Sequence, residues 1–198
     1  MRGSKRIHVV IFDLEFTAWE GSMASRWTRQ GEHTEVVQIG AVKLDAETLR
    51  EVDCFEMLVR PRVNPVLSDY LTALTNISND DLAYRGVDFV VAYRAFLDFA
   101  GEAESFAHGR DDLILLGNLK LYGWDKALPL LRYSNAVHWF AEQGIDLKGK
   151  RACDVAEAAG AVFEGHKHDA LADARGVAAG FRVLIEKGAP NPFLKAAA

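Results

Sequence analysis

A mixed α/β fold, with helices packed on a β-sheet, is the class that the order of apolar patterns along this chain predicts. Three strand-like runs come first, at 7–12, 35–44 and 52–59, and mostly helix-periodic segments follow around one further apolar run at 113–116. The 198 residues, 49% apolar and 26% charged, suit one domain spanning 1–198. Its core is expected at about 7–187, with short extensions at both ends.

The elements follow in chain order. The run IHVVIF, ending at Asp13, reads as a buried strand, and EVVQIGAVKL and the segment 52–59 as two more. Residues 45–48 would connect the latter two. The polar segment 18–34 is long for a hairpin loop, and loops of that length are commonly functional. Ser68 is placed to cap a helix over 69–74, and Asn79 or Asp80 a further turn. Residues 87–99 carry apolar side chains at helical spacing. The LILL run at 113–116 reads as a buried strand, and helices are expected at 125–131, 136–143, 153–159 and 169–187. Beyond Gly188, Pro190 and Pro192 suggest a surface extension.

The net charge of −5 argues against a protein that coats long nucleic acid through a basic surface, though not against one that grips a short end with the help of metal ions. No apolar run reaches the roughly 18–20 residues that span a bilayer. The first apolar run meets Asp13 too soon for a secretory leader, so a cytoplasmic protein without a membrane partner is expected. Cys54 and Cys153 fit no metal-binding or redox spacing and read as reduced thiols in or near the core. No residue pattern indicates an oligomer.

Two motifs carry chemistry. Alternate residues of a strand share a face, so Asp13 and Glu15 would point the same way at the end of the first strand. Neighbouring carboxylates repel unless a cation lies between them, and hard divalent ions prefer such oxygen ligands. Near the C-terminus, His168-Asp169-Ala170-Leu171-Ala172-Asp173-Ala174 enters a periodic helix, with Asp169 at its N-terminus and Asp173 one turn inside. A histidine beside a carboxylate cluster can deprotonate water, because its pKa lies near neutral pH. Taken singly, each motif is equally compatible with an ordinary polar strand end or helix start.

Together, D-x-E after the first strand and H-x-A-x-x-D-A near the C-terminus resemble the DEDDh branch of 3′–5′ exonucleases. That superfamily includes proofreading exonuclease domains, RNase T and oligoribonuclease. The resemblance extends over about 7–187, and Asp13-Leu14-Glu15-Phe16-Thr17 with Trp124-Asp125 is most similar to the Eri-type enzymes, which act mainly on RNA. It implies an RNase H-like fold: a mixed five-stranded sheet, strands 1–3 antiparallel, flanked by helices. It also implies two Mg²⁺ or Mn²⁺ ions held by Asp13, Glu15, Asp173 and a further carboxylate, with His168 as general base. Asp125, after an aromatic residue, matches that further position; Asp111 and Asp112 are its rivals, set aside because they precede the expected strand at 113–116. His166 is the rival of His168 and lacks its five-residue offset from Asp173.

The implied activity is release of nucleoside 5′-monophosphates from 3′ ends of single-stranded RNA or DNA, with RNA favoured. Leu14, Phe16 and Thr17 would contact the terminal nucleotide. Trp19 and Trp27, interleaved with Arg26 and Arg29, would stack on bases and meet phosphates. A proofreading or processing subunit of a larger assembly, and a catalytically silent nucleic-acid-binding module, are the alternative readings.

Overall fold

The computed structural model describes residues 7–194; the outermost parts of the expected terminal extensions lie outside them. Five strands form one mixed sheet in the order β3-β2-β1-β4-β5. These are β1 (His8–Phe16), β2 (Val36–Asp45), β3 (Glu51–Leu58), β4 (Glu104–Ala107) and β5 (Tyr133–Asn135). The first three are antiparallel neighbours, while β4 runs parallel to β1, and β5 parallel to β4.

Two-residue alternation along β1 explains the layering. Val10, Phe12 and Leu14 face one core with helix α4 (Phe89–Ala100) and α5 (Asp111–Leu121). Val9 and Ile11 face the other, packed with α6 (Ala136–Glu142), α7 (Val155–Ala159) and α8 (Ala170–Glu186). Asp13 and Glu15 continue that second face to the strand's carboxyl end. Helix α8 lays Val177 and Phe181 on it, and Asp173, one turn before Val177, reaches the two acids. The shorter α1 (Ser22–Ser25), α2 (Asp69–Thr75) and α3 (Asn79–Arg85) complete the chain order. Ser68 caps α2 as expected, whereas Ser78, with Asp81 in a reciprocal capping box, starts α3.

Gly40 of β2 allows α8 to lie so close. A Cβ there would stand 2.6 Å from the Leu171 Cα, and nearer still to the Leu171 amide nitrogen. The three alanines at 170, 172 and 174 keep the helix side of this contact thin, and all are buried.

Four expectations need correction. The LILL run lies within α5, where Leu115 and Leu119 are buried at i, i+4 and Leu113 is exposed; a short apolar run does not by itself separate strand from helix. The fourth strand is instead β4, upstream of it. No helix forms over 125–131, which is a turn running into irregular chain, because Pro129 disfavours helix at the residue before it and cannot donate a hydrogen bond. Beyond Gly188 the chain is no loose extension: Phe193 is buried against Phe106 and Phe181, and Asn191 donates to the Ala46 carbonyl. Both cysteines are free, but Cys54 on the edge strand is exposed and only Cys153 is buried. Among the described residues no helix is long and apolar enough to cross a membrane.

Candidate active site

Where β1 and β4 end side by side, a cleft of about 260 Å³ opens. Carboxylate oxygens of Asp13, Glu15 and Asp173 lie within 4.8 Å of one another in it, and all three residues are buried. A fourth acid joins them from a place the sequence reading had set aside. After β4 the chain turns at His108-Gly109-Arg110, and α5 begins at Asp111, which lines the cleft and is buried. A carboxylate in a helix's first turn is favoured by the unpaired amides there.

Asp125 is a correction. It sits exposed in the turn after α5 and does not line the cleft. Misreading 113–116 as a strand placed Asp111 on the wrong side of it; with β4 at 104–107, Asp111 follows the strand and Asp125 is one helix too late. The overlooked signal was Ser105-Phe106-Ala107 followed by His108-Gly109, a short apolar run closed by a turn residue. Asp112 is held apart from the cluster in an ion pair with Arg110.

Burial and mutual repulsion dominate the electrostatics of these acids. Burial, and then the neighbouring carboxylates, pushes Asp13 and Glu15 well above the usual carboxylate range. Burial, reinforced by Asp112, raises Asp111 to about 8. Asp173 is raised to about 7, mainly by burial and against a hydrogen bond from the His168 amide. Asp111 Oδ2 and Asp173 Oδ1 are buried without a hydrogen-bond partner. Unpaired buried oxygens on clustered acids fit hard divalent ions, which would supply the missing positive charge.

His168 is set by the start of α8. Asp169 caps that helix by accepting from the Ala172 amide at 2.8 Å, and Gln38 of β2 ties the cap to the sheet. Gln38 Nε2 donates to Asp169 Oδ2 at 3.2 Å, and its Oε1 accepts from the Ala170 amide at 3.0 Å. His168 itself takes a left-handed backbone, φ 66°, which costs a non-glycine residue roughly 1–2 kcal/mol. Its amide donates to Asp173 Oδ2 at 3.3 Å, and its Nδ1 lies 3.9 Å from Glu15 Oε1. At Nε2 it meets the Arg151 guanidinium, 3.1 Å away. Burial and then Arg151 lower its pKa, so the ring is neutral at neutral pH. His166 is exposed and lines a separate, smaller pocket with Asn76 and Arg85.

Of the residues expected to meet substrate, Leu14, Phe16, Trp19 and Trp27 line the cleft. Thr17 does not; buried, its hydroxyl donates to the His33 carbonyl and accepts from the Glu35 amide, bracing the loop. Trp27 also has a bracing role, since Nε1 donates to the Thr17 carbonyl and its ring packs on Phe16 at 5.4 Å. Arg26 and Arg29 are exposed outside the cleft, and Arg29 donates to the Glu20 carbonyl. Lys150 and Arg151 are the lysine and arginine that do line it, with Tyr70 as a further aromatic; no motif marked any of the three.

Buried acids gathered beside a neutral histidine serve one common chemistry, activating water against a phosphate with divalent metal, and on this sheet they define a phosphodiester hydrolase of the RNase H-like fold. Residues 10–181 match the RNase T family, described as Exonuclease, and the chain belongs to it, among the metal-dependent DEDDh 3′–5′ exonucleases. Solved structures give the same fold. A 3′-exonuclease in 3′-end specific recognition of a histone mRNA stem-loop is 19% identical with TM-score 0.77, over 94% of this chain and 84% of that one. The nuclease domain of 3′hExo, a DEDDh family member bound to rAMP, is 21% identical with TM-score 0.75, over 94% and 95%. Cell-death related nuclease 4 (CRN-4) is 22% identical with TM-score 0.74, over 92% and 64%. No curated protein matches the sequence.

Proposed function

We propose that this exonuclease removes nucleotides singly from the 3′ end of single-stranded RNA, with Asp13, Glu15, Asp111 and Asp173 as its metal ligands and His168 as its general base. The observation that carries the residue assignment is the convergence of those four buried acids, with two unpaired oxygens, beside a neutral imidazole. RNA is supported by two fold relatives of this chain, one recognising an mRNA stem-loop and one bound to rAMP.

The chain's own groups divide the work. Two Mg²⁺ or Mn²⁺ ions, held by the four carboxylates, would when bound neutralise the scissile phosphate and acidify water. A guanidinium only donates, so Nε2 of His168 carries the lone pair in the Arg151 contact, and it takes the proton of the attacking water once Arg151 has moved from it to the phosphate. Water attacks phosphorus, the bond to the 3′-oxygen breaks, and a 5′-monophosphate leaves. Lys150 and Arg151 meet the phosphate, while Phe16, Trp19 and Tyr70 offer ring faces to the terminal bases.

The test uses one 5′-labelled oligonucleotide sequence as RNA and as DNA, with a circular single strand beside them, in Mg²⁺ and in chelator. A metal-dependent ladder shortening from the 3′ end, faster on RNA, with the circle intact, is the expected result. Faster digestion of DNA would overturn the RNA assignment, and nicking of the circle would overturn the end requirement.

A further inference from the structure

One buried nucleophile has no part in that scheme. Cys153 lies in a 3-10 turn (Ala152–Asp154) just before α7, is 2% exposed, and forms no disulfide. Its Sγ, a ring nitrogen of His168 and a carboxylate oxygen of Asp173 lie within 4.8 Å of one another. Asp173 is 2% exposed, and its Oδ1 has no hydrogen-bond partner. Sulfur, nitrogen and oxygen donors from two separate segments thus come together beside the acid cluster, with Asp173 common to both groups.

The donor types select the ion. Mg²⁺ and Mn²⁺ prefer oxygen and gain little from a thiol, whereas Zn²⁺, Cd²⁺ and Co²⁺ bind mixed sulfur, nitrogen and oxygen sets. Three protein ligands with a fourth position open is a common zinc arrangement, with bonds of about 2.0–2.3 Å, so these donors need only contract modestly around an ion. We infer that Cys153, His168 and Asp173 form an inhibitory site for a thiophilic divalent cation, Zn²⁺ foremost. Binding forms a sulfur–metal bond and breaks the S–H bond, the proton leaves to solvent, and nothing is oxidised or reduced. The ion takes His168 from its role as base and Asp173 from the hard-metal set. Inhibition in this sense rests on the exonuclease assignments above; the metal site itself does not. Arg151, which donates to Nε2 of the same ring, is the group an ion at that nitrogen has to displace.

The decisive measurement is a Co²⁺ titration of the metal-stripped chain, kept reduced with a phosphine and followed in the near ultraviolet. Wild type and Cys54→Ala should develop a thiolate-to-cobalt charge-transfer band that Cys153→Ala and the near-isosteric Cys153→Ser lack, with circular dichroism confirming that the variants fold. In Mg²⁺-supported hydrolysis, the Zn²⁺ concentration for half-inhibition should rise about tenfold or more in Cys153→Ser, since even groups that merely orient a ligand carry about 10–100-fold in metal affinity. No band in wild type, or a band that survives in both Cys153 variants, overturns the site. Equal Zn²⁺ sensitivity of wild type and Cys153→Ser would put the ion on the carboxylates alone and overturn the inhibitory role. A Cys153-dependent band in a protein without nuclease activity would leave the site standing and sink the exonuclease reading instead.

Discussion

Gly40 of β2 and Leu171 of α8 meet backbone to backbone, with no room for a side chain between them. This contact sets the height of α8 over the sheet, and hence the distance from Asp173 to Asp13 and Glu15. Gly40→Ala should therefore lower both stability and turnover. Overpacking typically costs about 1–3 kcal/mol, and here the obstruction is backbone rather than a yielding side chain. Chemical denaturation together with Mn²⁺ affinity measures it; a variant with unchanged midpoint and unchanged metal binding would show that the helix is not seated by this glycine.

Asp111 lines the cleft, where the sequence predicts Asp125, and Asp125 lies outside it. Asp111→Asn should reduce turnover by at least about 10²-fold while the protein stays folded, because groups that only orient metal ligands already carry about 10–100-fold. Asp125→Asn, altering an exposed turn residue, should remain close to wild type. Steady-state rates of the two variants at saturating Mn²⁺ decide between them, and a dead Asp125→Asn beside an active Asp111→Asn would restore the earlier placement.

The contrast shows what the chain makes legible. Asp13 and Glu15 share a face through the two-residue period of a strand, and Asp173 stands one turn inside a helix that His168 precedes; the resemblance to the DEDDh motifs is what joins the two pairs into one site. The antiparallel β1–β2–β3 unit is legible because each strand is a separate run of strand-forming residues, the latter two joined by the polar residues at 45–48. Asp111 depends on the position of β4, four residues long, beside an apolar run that fits helix or strand equally well. Arg151, Lys150 and Tyr70 reach the cleft only through tertiary packing, and local sequence carries no mark of that. The arginines at 26 and 29, prominent in sequence, turn outward because the loop's inner surface is filled by Trp27 and Thr17.

Metal-free protein should lose stability as pH rises. Folded Asp111 and Asp173 hold their protons to about 8 and about 7, while an unfolded aspartate releases its proton near about 3.9. Between those limits the unfolded chain binds fewer protons, so stability is fully present below about pH 4 and is lost as pH rises through about 7–8. Melting temperatures in chelator should fall from pH 5 to pH 9, less steeply in Asp111→Asn, and Mg²⁺ or Mn²⁺ should flatten the fall by binding the ionised cluster. A chelated protein that melts higher at pH 9 than at pH 5 would contradict the buried-acid account.

The last prediction separates His168 as a base from His168 as a structural residue. The ring is neutral because burial and Arg151 disfavour its charge, and it makes no hydrogen bond to a carboxylate, so its removal leaves the four acids in place. His168→Ala should keep its fold and its hard-metal affinity, yet lose about 10²–10⁴-fold in single-turnover rate, the usual contribution of a positioned base. Free imidazole added to the assay should restore part of that rate, since the vacated space opens on the cleft. His166→Ala should behave as wild type, its side chain being exposed beside a different pocket. The comparison is single-turnover hydrolysis at saturating Mn²⁺, with Mn²⁺ binding measured separately on the same preparations. A His168→Ala variant whose loss disappears at high Mn²⁺ would make the histidine a support for the metal rather than a proton acceptor, and near-wild-type hydrolysis would remove it from the chemistry.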